Sequence, residues 1–236
     1  MLSISRLTVA ALLGASTAFA SAINDYSCES SSNPVVLLHG LGATYYEDLN
    51  FLQFWLQNDG YCTYSLTYGA YEGFPFVGGL KPIKESAPEI AAFIKEVVQK
   101  TGKSKVNLVG HSEGAFQSLY VPKFEGVLDT VGCGACNDLG PDGAAVDRLN
   151  DGTPILQPGN EITVIASKSD ELVTPPETAF IHEAGVKNTW IQDTCPLDPV
   201  GHIGEAYDLN VWNLVKNALD STPDRKFVCV LGSPGK

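Results

Sequence analysis

The stretch VNLVGHSEGAF, residues 106–116, decides the fold. Its first four residues suit a β-strand, and the run after Gly114 suits a helix. Between them, Gly110-His111-Ser112-Glu113-Gly114 has the G-x-S-x-G spacing that holds a serine on a sharp strand-to-helix turn. Such a turn crowds the backbone, so a Cβ at either glycine position is expected to collide with the neighbouring strand or helix. It also exposes the Ser112 hydroxyl and directs the free N–H groups of a helix N-terminus at whatever the serine attacks. A five-residue pattern with two free positions also describes a plain glycine turn carrying a solvated serine. Context separates the two.

Upstream, the apolar run Pro34-Val35-Val36-Leu37-Leu38 ends in His39-Gly40-Leu41-Gly42, a glycine loop leaving a strand. Downstream, Asp170 follows an apolar strand-like run at 161–166, and His202 lies in Gly201-His202-Ile203-Gly204 before a final helix. Serine, acid, histidine is the chain order of an α/β-hydrolase. The chemistry needs these types. A serine hydroxyl is a weak nucleophile without a base, and the base needs a carboxylate to fix its tautomer and stabilise its cation. Glu171, Asp193 and Asp198 rival Asp170, which is preferred for its place between a strand and a new helix. Of the other histidines, His39 belongs to the turn after the first strand and His182 to a short exposed helix. His111 is expected to point away from the serine. Two backbone N–H groups must face the developing oxyanion, and those of Leu41 and Glu113 are in the right places. The Glu113 side chain is expected to reach solvent, since a negative charge beside an oxyanion would oppose it.

Fifteen basic against 27 acidic residues give a net charge of −12. Such a surface repels nucleic acid and anionic headgroups. Residues 1–22 carry one Arg, an apolar stretch and the small-residue pattern Ala18-Phe19-Ala20-Ser21-Ala22, which reads as a secretory signal peptide rather than a membrane span. The expectation is a secreted, extracellular, monomeric protein with residues 23–236 forming one domain and no transmembrane segment. Six cysteines, Cys28, Cys62, Cys133, Cys136, Cys195 and Cys229, suit an oxidising compartment. Cys28–Cys62 is the favoured pair, with Cys133, Cys136 and Cys195 competing for others. No metal or organic cofactor is expected.

Periodicity predicts a helix over 49–59, a strand over 61–68, a loop over 69–83, and a helix opened by the capping box Ser86-Ala87-Pro88-Glu89 and ended by Gly102. After the serine helix come a strand at 161–166, a short helix capped by Thr174, a strand at 188–192, a helix at 205–219 and an irregular tail from 221. Strands alternating with helices imply a mostly parallel sheet with helices on both faces.

The segments VVLLHGLGA, LVGHSEGAF, SKSDELVTP and DPVGHIG together resemble the class 2 lipases, small secreted relatives of the minimal lidless bacterial lipases, over most of residues 33–220. The resemblance implies an α/β-hydrolase fold and a carboxylic ester hydrolase acting on lipid or other esters, with transient contact with a lipid interface. It implies Ser112, Asp170 and His202 as triad and the N–H groups of Leu41 and Glu113 as oxyanion hole. One departure stands out. Similar lipases carry a strand and an active-site loop where this chain joins at about 126–127, so one strand after the serine helix is missing. Closing that gap is expected to move the acid and histidine strands toward the serine by about 4.8 Å. Val127–Val131 is the one short segment there that might substitute. Three alternatives follow: a catalytically impaired hydrolase-like binding protein, a cutinase-like polyester hydrolase, and a dithiol oxidoreductase built on Cys133 and Cys136.

Overall fold

The computed structural model describes residues 23–123, 135, 138–140 and 142–232. Residues 1–22, where a signal peptide is expected, the stretch Val127–Val131, and Cys133 and Cys136 lie outside the described residues.

The run Val35–Leu38 forms strand β1 and is buried along its whole length. Val36 and Leu38 pack into one apolar cluster, Val35 and Leu37 into another. Burial of both faces is what a continuous apolar run without polar alternation requires. Helix α1, Asn50–Asn58, follows, then β2, Thr63–Ser65. Helix α2 spans Ile83–Thr101, β3 Asn107–Gly110 and α3 Glu113–Lys123. Strands β2, β1 and β3 make a parallel sheet in that order. On one face Tyr64, Tyr68, Leu38, Ile83 and Ile90 pack together; on the other, Leu52 and Leu56 of α1 cover Val35 and Leu37. Each fully buried large apolar side chain adds about 1.5–3 kcal/mol. The free edge of β2 is covered by a side chain: the Asn24 amide donates to the Ser65 carbonyl at 3.0 Å, and its oxygen accepts from the Ser65 N–H at 2.8 Å. The Cys28–Cys62 disulfide anchors the same segment.

The second half begins with the short helix α4, Ala144–Leu149. Strands β4, Thr163–Ala166, and β5, Lys187–Trp190, pair in parallel as a separate two-stranded sheet. A 3-10 turn at Pro176–Ala179 lies between them. Helix α5, Ile191–Thr194, a 3-10 turn at Gly204–Tyr207 and helix α6, Leu209–Leu219, complete the described elements. Cys195–Cys229, a pair not singled out from the sequence, ties the end of α5 to the tail. Residues 221–232 carry no helix or strand.

Three sequence expectations change. Helix α2 starts at Ile83 rather than after Ser86, because the buried Ile83 N–H finds a carboxylate from elsewhere, Asp138 Oδ2 at 2.8 Å. A tertiary cap outranks the local one, and Pro88 is carried inside the helix. The predicted helix over 205–219 is broken, since Asp208 turns aside and accepts from the N–H groups of Asn210 and Val211 as the true N-cap of α6. Among the described residues the expected single sheet is two sheets, since β3 and β4 share no hydrogen bond. The stretch in which the sequence was expected to lack a strand lies outside the described residues.

Candidate active site

Ser112 follows β3 directly and has φ = 54°, a left-handed conformation for a residue with a side chain. Such strain costs about 1–3 kcal/mol and is kept only where the surroundings over-determine it. Here they do. A Cβ on Gly110 would stand 2.2 Å from the Gly114 carbonyl, and one on Gly114 would stand 2.0 Å from the Leu38 carbonyl oxygen. Only two glycines let strand, turn and helix pass this closely.

Three residues from both halves of the molecule meet at this turn. His202 Nε2 lies 2.8 Å from Ser112 Oγ, and His202 Nδ1 lies 2.8 Å from Asp170 Oδ2. The side chains of His202 and Asp170 are nearly buried. The other Asp170 oxygen accepts from the N–H groups of Leu172 and Val173, both at 2.8 Å. With Nδ1–H donating to the carboxylate, the ring presents a free lone pair on Nε2 to the serine hydroxyl. The rivals of Asp170 are engaged elsewhere. Asp193 pairs with Lys168 at 2.6 Å, Glu171 accepts from the His202 N–H at 3.2 Å, and Asp198 holds Val200 N and Asn210 Nδ2.

Several backbone N–H groups on the two loops facing the serine already have partners. In the loop after β1, Gly40 N donates to Asp48 Oδ2, Gly42 N to the Gly78 carbonyl and Ala43 N to the Gly40 carbonyl. Leu41 N is the one left over among the described residues. At the start of α3, Gly114 N and Ala115 N are satisfied by His111 and Ser112 carbonyls, leaving Glu113 N. The sequence expected Leu41 N and Glu113 N as oxyanion donors, and neither has a hydrogen-bond partner among the described residues.

The Glu113 side chain departs from expectation. It is 1% exposed rather than solvated. Oε1 accepts a long 3.3 Å bond from Gln117, and Oε2 has no partner among the described residues. Oε2 lies so close to the Gly79 backbone that a Cβ there would be 2.4 Å away. Burial, with Asp138 nearby, pushes its pKa up to about 8 despite the Gln117 bond, so the acid is neutral at pH 7 and the like-charge conflict does not arise. Glu205 behaves alike. Burial first, then the charges of Asp170 and Glu171, push it up to about 8 against the pull of His111.

His111 does not point away from the site. Its ring lies 5.2 Å from that of His202, Nε2 is 2.8 Å from the His202 carbonyl, and Nδ1 is 2.9 Å from Asp48 Oδ1. Sequence reasoning missed Asp48, His111 and Glu205. An acidic side chain before a helix reads as solvated, and no local pattern says that distant loops will cover it. His39, by contrast, is the turn residue expected: it stacks on Tyr68 with centroids 4.3 Å apart, and Tyr68 O–H donates to its carbonyl. His182 is exposed and outside any helix. His111, His202 and Glu205 offer ligand atoms within 4.8 Å of one another. All four ring nitrogens already hold hydrogen bonds, so this set does not suit a metal ion.

Residues 32–130 match the class 2 lipase family. The match covers β1 through α3, and so Leu41, Ser112 and Glu113, while Asp170 and His202 lie beyond it. A triacylglycerol lipase of Pseudarthrobacter phenanthrenivorans is 30% identical over 109 residues, which span 42% of this chain and 32% of that protein. One of Burkholderia plantarii is also 30% identical over 109 residues, spanning 42% of this chain and 28% of that protein. The matched region thus spans about a third of these relatives. Among solved structures, lipase B of Aspergillus fumigatus superposes with a TM-score of 0.65 at 17% identity, covering 84% of this chain and 54% of that one. An uncharacterised protein of Bacillus cereus superposes at 0.58 with 16% identity, covering 83% of this chain and 60% of that one. The fold is that of an α/β-hydrolase. Among the described residues no helix is long and apolar enough to cross a membrane.

Proposed function

We propose that this chain is a secreted carboxylic ester hydrolase of the class 2 lipase type, working through an acyl-enzyme. The observation that carries the reading is the chain of two 2.8 Å contacts from Ser112 through His202 to Asp170. Ser112 Oγ attacks the ester carbonyl as His202 Nε2 takes its proton, and the C–O π electrons move onto oxygen. The N–H groups of Leu41 and Glu113 hold that oxyanion. Collapse expels the alcohol, which receives the proton from His202. Water, deprotonated by His202, then repeats the attack on the acyl-serine and releases the acid. Asp170 keeps the imidazole in its working tautomer and stabilises the cation.

Several features support a lipid ester as substrate. Leu41, Tyr46, Phe74, Phe76, Leu172 and Ile203 are exposed apolar side chains on loops that follow strands or flank His202. An acyl chain or a lipid surface is the natural complement of such a rim. Export through residues 1–22 is supported by their composition and by two disulfides in the described region. A monomeric state belongs to the same proposal. The test is hydrolysis of p-nitrophenyl esters from two-carbon to long acyl chains by the mature protein and its Ser112→Ala variant. Turnover that falls by about 10⁴-fold or more in the variant is expected. Equal turnover by both would end the reading.

A further inference from the structure

Among the described residues the two halves of the site sit on sheets that share no hydrogen bond, and the serine must still be set against its base to within a few tenths of an ångström. One buried pair spans the junction. Asp48, just before α1, accepts from Gly40 N at 2.6 Å in the oxyanion turn and from His111 Nδ1 at 2.9 Å. His111, next to the nucleophile, reaches the main-chain carbonyl of His202 with Nε2 at 2.8 Å. Gly40 is wedged between them: a Cβ there would meet Ser112 Cβ at 3.2 Å, Asp48 Oδ2 at 3.4 Å and His111 Nδ1 at 3.5 Å.

We infer that His111 and Asp48 are positioning residues that latch the oxyanion turn and the nucleophile to the general base, joining loops that belong to two different sheets. The inference rests on the hydrolase reading above.

The hydrogen bonds fix the protonation state that such a latch needs. A carbonyl oxygen can only accept, so Nε2 donates; the Asp48 carboxylate accepts, so Nδ1 donates as well. His111 is therefore an imidazolium. The contrast with His39 is instructive, because there Nε2 faces the Tyr68 N–H and must accept, which makes that ring neutral. Burial pulls the His111 ring toward its neutral form. The Asp48 hydrogen bond and charge, the His202 carbonyl and Glu205 outweigh burial and hold it above the usual histidine range. Burial opposes the Asp48 charge too, but His111 and the Gly40 N–H keep the carboxyl below its usual value. The other groups facing the pair are the His202 ring and the Tyr68 and Tyr207 phenols, whose own ionisation Asp48 disfavours.

The experiment compares wild type with His111→Phe, His111→Gln and Asp48→Asn, using short-chain ester kinetics and imidazole NMR. His111→Phe keeps the ring volume and removes the donor, so kcat is expected to fall about 100-fold with KM near its wild-type value. His111→Gln retains an N–H donor for the His202 carbonyl and should recover about 10-fold of that loss. Wild-type spectra at pH 7 should show both ring N–H groups of His111, one of them lost in Asp48→Asn. The His202 Nδ1–H signal should move in His111→Phe. A folded His111→Phe protein within two-fold of wild-type kcat overturns the latch, as does a single ring N–H on His111 in the wild type. Should the wild type hydrolyse no ester, the hydrolase reading fails by itself, and the His111 and His202 signals still decide the latch.

Discussion

The sheet β2–β1–β3 and the sheet β4–β5 are built to different standards. The first has a fully buried central strand, two apolar clusters on opposite faces, and the large side chains of Tyr64, Tyr68, Leu38 and Ile90 sealed inside. The second has half-exposed strands and one small cluster around Ile191, Val200, Val211 and Leu214. Polar hooks make up part of the difference. Ser167 Oγ donates to the Val200 carbonyl, Gln192 Nε2 to Ser167 Oγ, and Asn210 Nδ2 to Asp198 at 2.7 Å, while Cys195–Cys229 closes the outer side. The first half carries nucleophile and oxyanion turn; the second carries acid and base. On the proposed mechanism, the attacking side is rigid and the proton-handling side is tethered, with loop contacts setting the register between them.

The sharpest way to break this comparison is at the junction itself. Asp170→Asn leaves both sheets intact and should lower kcat by about 10⁴-fold, by presenting the wrong imidazole tautomer to Ser112. Thermal unfolding should change little. A variant that keeps a tenth of its activity would show that the acid is supplied elsewhere.

Next in size is the outer tether. Replacing Cys195 and Cys229 with serine frees a link between positions 34 residues apart, worth up to about 4 kcal/mol by chain entropy. Amide exchange should accelerate in β4 and β5 while β1 stays protected, and activity should vanish at temperatures where β1 is still folded. Equal acceleration in both sheets would mean that the halves unfold as one unit.

The smallest effect is read against pH, on the rigid side. Glu113 holds its proton up to about pH 8 in the native state, against 4.5 for a free carboxyl. The unfolded chain releases that proton first, so native stability falls as pH rises between those values and levels off above the higher one. Glu113→Gln lacks this loss and should gain on the wild type across that window. It should also keep its kcat above pH 8, where an ionised Glu113 beside the oxyanion would slow the wild type. Superimposable pH profiles would mean that the acid stays neutral throughout or lies too far from the reacting oxygen.

The nucleophile region was legible because its signals are local. A Cβ at Gly110 would collide with the Gly114 carbonyl inside the strand–turn–helix unit, one at Gly114 with the Leu38 carbonyl at the end of the adjacent β1, and VVLL declares a strand buried on both sides without help from elsewhere. The order Ser112, Asp170, His202 was legible for a related reason, since each residue sits at a fixed place relative to its own strand. Reading failed where distant segments decide a residue's surroundings. Asp138 starts α2 three residues ahead of its local cap, Asp208 breaks the last helix, and Glu113 is buried under the glycine loop at 78–79.

The sequence by itself pointed to the proposed class of chemistry and to the three residues that meet, because strand ends and tight glycine turns are fixed by short-range sterics. Tertiary structure alone decided how they meet between two sheets, and which ionisable groups keep or lose their protons there. Those depend on desolvation and on hydrogen bonds between residues as far apart as Asp48, His111 and His202, and no local pattern encodes the dielectric that a folded chain creates around a charge.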